Sequence, residues 1–200
     1  TLQRAGSVAI GNSAGYTGQF TKGIAIGSIA GYTGQGTGAI AIGREAGSNL
    51  QGSGTVSLGY QSGYNTQGLG AIAMGYQSGY TLQGNLAIAV GNTSGGTGQG
   101  IRSVCIGDSA SAYNQATLAV SLGYQAGYTG QRTNSVSMGA SAGYNTQGTG
   151  SVIIGAGSSM TGAGSRSVTL GYNSGITNQS NDTFYTLRNL QSMGAAASMQ

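Results

Sequence analysis

The chain has no proline, no tryptophan, no histidine and one cysteine, Cys105, in 200 residues. Lack of histidine removes the commonest general base and metal ligand, and a lone cysteine excludes a disulfide framework or a cysteine metal site. Cys105 occupies a small-residue position, which assigns it to packing. Charge is almost as scarce. The acids are Glu45, Asp108 and Asp182, and the bases are Arg4, Lys22, Arg44, Arg102, Arg132, Arg166 and Arg188. Acid–base catalysis needs paired ionisable groups, and these carboxylates stand far apart, so the chain reads as a non-enzyme. Cofactors are not expected. Dinucleotide and phosphate-loop fingerprints are missing, and calcium-binding β-roll repeats need an aspartate in every turn. A net charge of +4 from bases that are nowhere adjacent does not make a nucleic-acid footprint. Apolar runs are too short to span a bilayer, and residues 1–30 lack the order of a signal peptide, so no membrane insertion by this segment is expected.

Glycine, by contrast, supplies 41 residues, and much of it is periodic. Gly11, Gly27, Gly43, Gly59, Gly75, Gly91, Gly107, Gly123, Gly139, Gly155 and Gly171 recur every sixteen residues without an insertion or deletion. Before each glycine come a β-branched, a small and an aliphatic residue, as in Val8-Ala9-Ile10, Ile40-Ala41-Ile42 and Val168-Thr169-Leu170. That alternation marks a strand. Ala or Ser follows three residues after the glycine, then usually Gly, then often Tyr: Tyr16, Tyr32, Tyr64, Tyr80, Tyr128 and Tyr144. Eight residues after it stands glutamine: Gln19, Gln35, Gln51, Gln67, Gln83, Gln99, Gln115, Gln131, Gln147 and Gln179, with Ala163 the exception.

Sixteen residues are too few for a helix, a strand and two turns, so each coil must consist of strands and turns. A period that never slips, even in turns, means that every residue stacks on its counterpart in the next coil. The expected fold is therefore all-β: a parallel β-solenoid of about eleven coils, spaced by ~4.8 Å into a rod roughly 50 Å long. Absence of proline fits, because a missing N–H would orphan an acceptor on the neighbouring coil. Residues 1–182 are expected to form the solenoid, which Thr1-Leu2-Gln3 enters in mid-coil. Residues 183–200 are expected to form a cap or linker. There Phe184, Tyr185 and Thr186 replace the usual strand and glycine, and Asp182 is placed to cap a short helix bearing Leu187, Leu190 and Met193.

Large aliphatic residues such as Ile72 and Met74 are read as facing inward. The small residues Ala39, Ala41, Ala71, Ala73, Ala87, Ala89, Ser135 and Ser137 are then read as an outward strip. A solvated strand normally carries Lys, Glu or Thr there, so this strip or the tyrosine face is expected to pack against identical chains. The glutamine row is expected to form an amide ladder along the axis, with an exposed polar turn as the alternative. The tyrosine row is expected to stack, in preference to serving as a carbohydrate track. Thr17, Thr33, Thr81, Thr97, Thr129, Thr161 and Thr177 leave open an ice- or glycan-facing array. Glycosylation sequons at Asn92, Asn178 and Asn181 are weak matches in so Asn- and Ser-rich a chain.

The segments SVAIGNSA (7–14), AIAIGREA (39–46) and SVSMGASA (135–142) resemble the haemagglutinin-like head repeat of YadA-like trimeric autotransporter adhesins, written S-V-A-I-G-x-x-A-x-A. Similar repeats occur in fibre and surface proteins of phages and giant viruses. The resemblance covers about residues 3–182. It implies a left-handed roll, a homotrimer and a head that binds host surfaces, and it carries over no binding residue. The coil here is longer than that family's, and Tyr often replaces its second Ala. The expected function is structural: part of an extracellular, cell-surface or virion-surface fibre or filament, formed by self-association into a homotrimer or filament. The alternative is an adhesin, a head or shaft engaging a host-surface receptor or glycan.

Overall fold

Each coil contributes one three-residue strand to a first sheet and, in most coils, a second to another sheet; successive coils pair in parallel. The structure, a computed structural model, describes residues 3–175 and 177–186, and among the described residues there is no helix. The first sheet has twelve strands, from Val8–Ile10 through Ile72–Met74 to Phe184–Thr186. Its register is constant: Val8 pairs with Ile24, Ile72 with Ile88, and Val136 with Val152. The second sheet runs from Thr33–Gln35 to Tyr113–Gln115 and continues, through bridges at Thr129, to Asn145–Gln147 and Thr161–Ala163. The chain is a parallel β-solenoid of about eleven coils, as its period implies.

Two glycine rows turn the chain, for different reasons. At Gly91 φ is +130°, a region open to glycine alone, and a Cβ would lie 2.4 Å from the carbonyl oxygen of Gly107 in the next coil. From residue 11 to residue 171 only glycine occupies this row. Gly38 and Gly54 also have positive φ, yet a Cβ on either would meet nothing within 4 Å. Aligned with them are Lys22, Leu86, Arg102, Leu118 and Asn134, all at positive φ. Close approach of stacked backbones, more than the turn itself, enforces glycine.

The interior reverses the expected facing. In the first-sheet strands from Val8–Ile10 to Val168–Leu170 the middle residue is the most buried, and its neighbours turn outward. Ala39, Ala41, Ala71, Ala73, Ala87, Ala89, Ser135 and Ser137 are all wholly buried and cannot form a lateral strip. Val8, Ile10, Leu58, Met74 and Ile106 are the exposed ones. The physical reason is space. Two sheets closed by so short a coil leave room between them for small side chains and one glutamine. A period-two pattern shows which residues share a face, not which face points inward.

Glutamine fills that remaining room. Gln83 reaches across from the second sheet, and its Nε2 donates to the carbonyls of Ile72 at 2.7 Å and Ala87 at 3.3 Å. Gln19, Gln35, Gln67, Gln99, Gln115 and Gln131 make the same two bonds in their coils. Each amide thus ties the second sheet to two successive strands of the first. Amide-to-amide bonds of the expected ladder join Gln51 to Gln67, Gln67 to Gln83 and Gln115 to Gln131. Gln147 instead donates to Ser137 and to the carbonyl of Gly143. Oε1 of Gln19, Gln35 and Gln99 has no donor and lies against a glycine, where a Cβ on Gly15, Gly31 or Gly95 would stand within 3 Å of it. One coil uses another solution. Ile153 takes the small position and Ala163 the glutamine's, and the two are buried together with Ala142. A large residue on one sheet faces a small one on the other, which preserves filled volume.

The C-terminal boundary also moves. Phe184–Thr186 pairs with Val168–Leu170, so stacking continues beyond residue 182. Asp182 caps no helix: it has φ +57° in the turn before that strand, and its carboxylate accepts two bonds from Arg166. The expected helix at Leu187, Leu190 and Met193 lies outside the described residues.

Candidate functional site

With the small residues inside, the outer surface of the first sheet consists of two columns of large aliphatic side chains. One contains Val56, Ile72, Ile88 and Val104, the other Leu58, Met74, Val90 and Ile106, and both run from Val8 and Ile10 to Val168 and Leu170. Every position is Val, Ile, Leu or Met, and none is charged. Exposure reaches 58% at Ile10 and is still 39% at Ile106, halfway along the stack. Natural sheets interrupt such surfaces with Lys, Pro or bulges, and none occurs on these columns. Sequence reasoning expected self-association through a set of residues that the structure buries. The columns were visible in the same alternation, once the interior is known to be too narrow for them.

The tyrosines stack in pairs. Tyr16 lies on Tyr32, Tyr64 on Tyr80 and Tyr128 on Tyr144, with ring centroids 4.9–5.1 Å apart and nearly parallel planes. Between the pairs the column is interrupted at Ser48, Gly96 and Ala112. A second column, with Tyr60 stacked on Tyr76, sits one residue after the turn glycine, and its sixteen-residue spacing was equally readable. Burial, then neighbouring Tyr64, raises the pKa of Tyr80 above the usual tyrosine value, so the ring is neutral at physiological pH.

Comparison with protein-family models, curated proteins and solved structures gave no match. The functional reading therefore rests on the surfaces themselves. Polar rows are largely occupied with their own neighbours. Thr33 and Thr129 donate to Asn49 and Asn145 one coil on, rather than forming a free hydroxyl array. Glu45 accepts from Arg44 and from Gln61, and Gln61 in turn accepts from Gln77. Among the described residues there is no group of three or more His, Cys, Asp or Glu that could hold a metal, and no helix long and apolar enough to cross a membrane.

Cys105 lies in the interior, where its thiol donates to Gln115 Oε1 at 2.7 Å. Burial pushes its pKa up to about 12. The thiol is then neutral at pH 8 and closed to reagents, since the thiolate is the nucleophile. Iodoacetamide at pH 8 is expected to leave the folded protein unmodified and to label it fully in denaturant. Rapid labelling of the folded chain, read by mass spectrometry, would contradict this placement.

Proposed function

We propose that this chain is a structural segment of an extracellular or virion-surface fibre, which self-associates through the aliphatic face of its first sheet. The observation that carries the reading is the pair of unbroken, uncharged columns. Two partly exposed side chains per coil, over the length of the stack, amount to a strip on the order of 1,000 Å², comparable with the ~800 Å² that each partner buries in a stable interface. The strip is apolar along its whole length and runs along the stack from Val8 to Leu170. A second copy of the same strip matches it in length and chemistry, and repeated pairing of equal rods produces a stiff, multi-chain shaft. Sparse charge and the resemblance to trimeric adhesin heads support the same reading.

Sedimentation tests it. The native chain is expected to sediment as a homo-oligomer at micromolar concentration. Ile72→Asp with Ile88→Asp places two carboxylates on adjacent rungs of the face, and this variant is expected to sediment as a monomer with an unchanged β-type circular dichroism spectrum. A native chain that is monomeric at high concentration would sink the proposal.

A further inference from the structure

The tyrosine column contains a gap with walls. Tyr64 covers one face of Tyr80 at 5.1 Å, and the next two rungs, Gly96 and Ala112, carry no ring. At ~4.8 Å per coil two missing rungs would admit two stacked rings, and the Tyr113 ring takes up the level of Ala112, which leaves a slot for a single ring. Tyr113 closes the far side, its ring turned edge-on to Tyr128 at 5.4 Å and 87°. The resulting notch holds about 140 Å³ and is lined by Tyr80, Gln77, Thr93, Thr97, Ala112 and Tyr113, over the backbone of Gly96. This is smaller than the ~300–1,000 Å³ of a site for a drug-sized molecule. One ring is what it can take.

The rim specifies what kind of ring. Gln77 commits its Nε2 to Gln61 Oε1 at 2.8 Å, which leaves its own carbonyl oxygen to accept. Thr93 donates to Asn92 at 3.2 Å and Thr97 to the carbonyl of Ala112 at 3.4 Å, so both hydroxyls also present acceptor lone pairs. No lining residue is charged. The uncharged lining gives an ionised ligand no counter-charge, so the rim fits a neutral ligand that offers several O–H donors around its edge and presents a C–H face to a tyrosine ring. We propose that the slot between Tyr80 and Tyr113 binds one hexopyranose unit of a neutral glycan. The sugar stacks on Tyr80, and its hydroxyls donate to Gln77 and Thr93. The slot lies outside both aliphatic columns, so this site does not depend on self-association.

The repeat itself supplies the test. Gly96 and Ala112 align with tyrosine in six other coils, so Gly96→Tyr or Ala112→Tyr extends the existing stack and fills the slot without a foreign residue. Methyl glucopyranoside, galactopyranoside and mannopyranoside are titrated against the native chain by saturation-transfer NMR, with phenol as a flat ring that has one donor. At least one glycoside is expected to bind, in the millimolar range typical of a single ring. Gly96→Tyr, Ala112→Tyr and Tyr80→Ala are each expected to weaken it tenfold or more while the circular dichroism spectrum stays that of the parent. The proposal is overturned if no glycoside binds, if phenol binds and no glycoside does, or if folded Gly96→Tyr and Ala112→Tyr retain the native affinity.

Discussion

Gly91→Ala is expected to break the stack at its centre. The added methyl group has nowhere to go, because a Cβ would stand 2.4 Å from the carbonyl oxygen and 2.7 Å from the carbonyl carbon of Gly107. Rotation out of the way is not available, since φ is +130° and the clash is with the backbone of the next coil in a fixed register. Relief requires the coils to separate, and that removes the inter-coil hydrogen bonds on either side. A cost of roughly 3 kcal/mol or more follows from overpacking and backbone strain together. In a stack where each coil contacts only its neighbours, that cost falls on a single interface and divides the rod into two shorter, weaker ones. Gly54→Ala is the matched control. It also has positive φ, +66°, but nothing lies within 4 Å of its Cβ, and the cost should be about 1 kcal/mol. Urea unfolding followed by circular dichroism should show an early, split transition for Gly91→Ala and a near-native one for Gly54→Ala. Equal midpoints would mean that close stacking is not what keeps this row glycine.

Gln83→Glu is expected to make stability strongly dependent on pH. The shape hardly changes, but the donor is lost. In the native chain Nε2 points at the carbonyl oxygens of Ile72 and Ala87, and an ionised carboxylate there would face two acceptors in a buried site, with one donor, Gln67 Nε2 at 3.0 Å, in compensation. The neutral acid still donates once. Burial and the two carbonyls therefore raise the folded-state pKa of the new carboxyl above its unfolded value of about 4.3. For a group shifted in this direction the folded state holds its proton longer. The penalty is absent below about pH 4 and grows as pH rises through the folded pKa, reaching roughly 3 kcal/mol at neutral pH and roughly 4 kcal/mol above the folded pKa for a shift of three units. The urea midpoint of the variant should approach that of the parent at pH 4 and fall well below it at pH 8. A variant that tracks its parent at both pH values would show that this side chain is not an interior donor.

Much of the architecture was legible because the repeat is exact in length. A glycine every sixteen residues, with no slippage in turns, leaves only axial stacking, and the pairing of Ile72 with Ile88 and of Gln67 with Gln83 follows directly. The inside and the outside were not legible in the same way. Ala73 beside Ile72 gives the same alternation whichever one is buried, and hydrophobicity alone favours the wrong choice. Only the thinness of the coil decides it. Left-handed residues were equally hidden. Leu50, Leu82, Leu86 and Leu118 all have positive φ, although nothing in a leucine predicts that conformation. Stacked neighbours over-determine the backbone there and absorb the local strain. Phe184–Thr186 escaped notice because it lacks both the aliphatic pair and the glycine, yet an exposed strand edge on Val168–Leu170 is enough to recruit it. Ile153 and Ala163 depart from the consensus in one coil. Read together rather than separately, they point to each other across the interior.

The parallel pairing of coils also governs how the rod responds to tension. A lengthwise pull loads the bonds between successive coils in series, so the weakest junction opens first while the others hold. Each junction that opens pays out sixteen residues, roughly 55 Å of extended chain in place of ~5 Å of stacked height. A tether made this way yields by elongating in discrete steps, and it dissipates a sudden load before any covalent bond is strained.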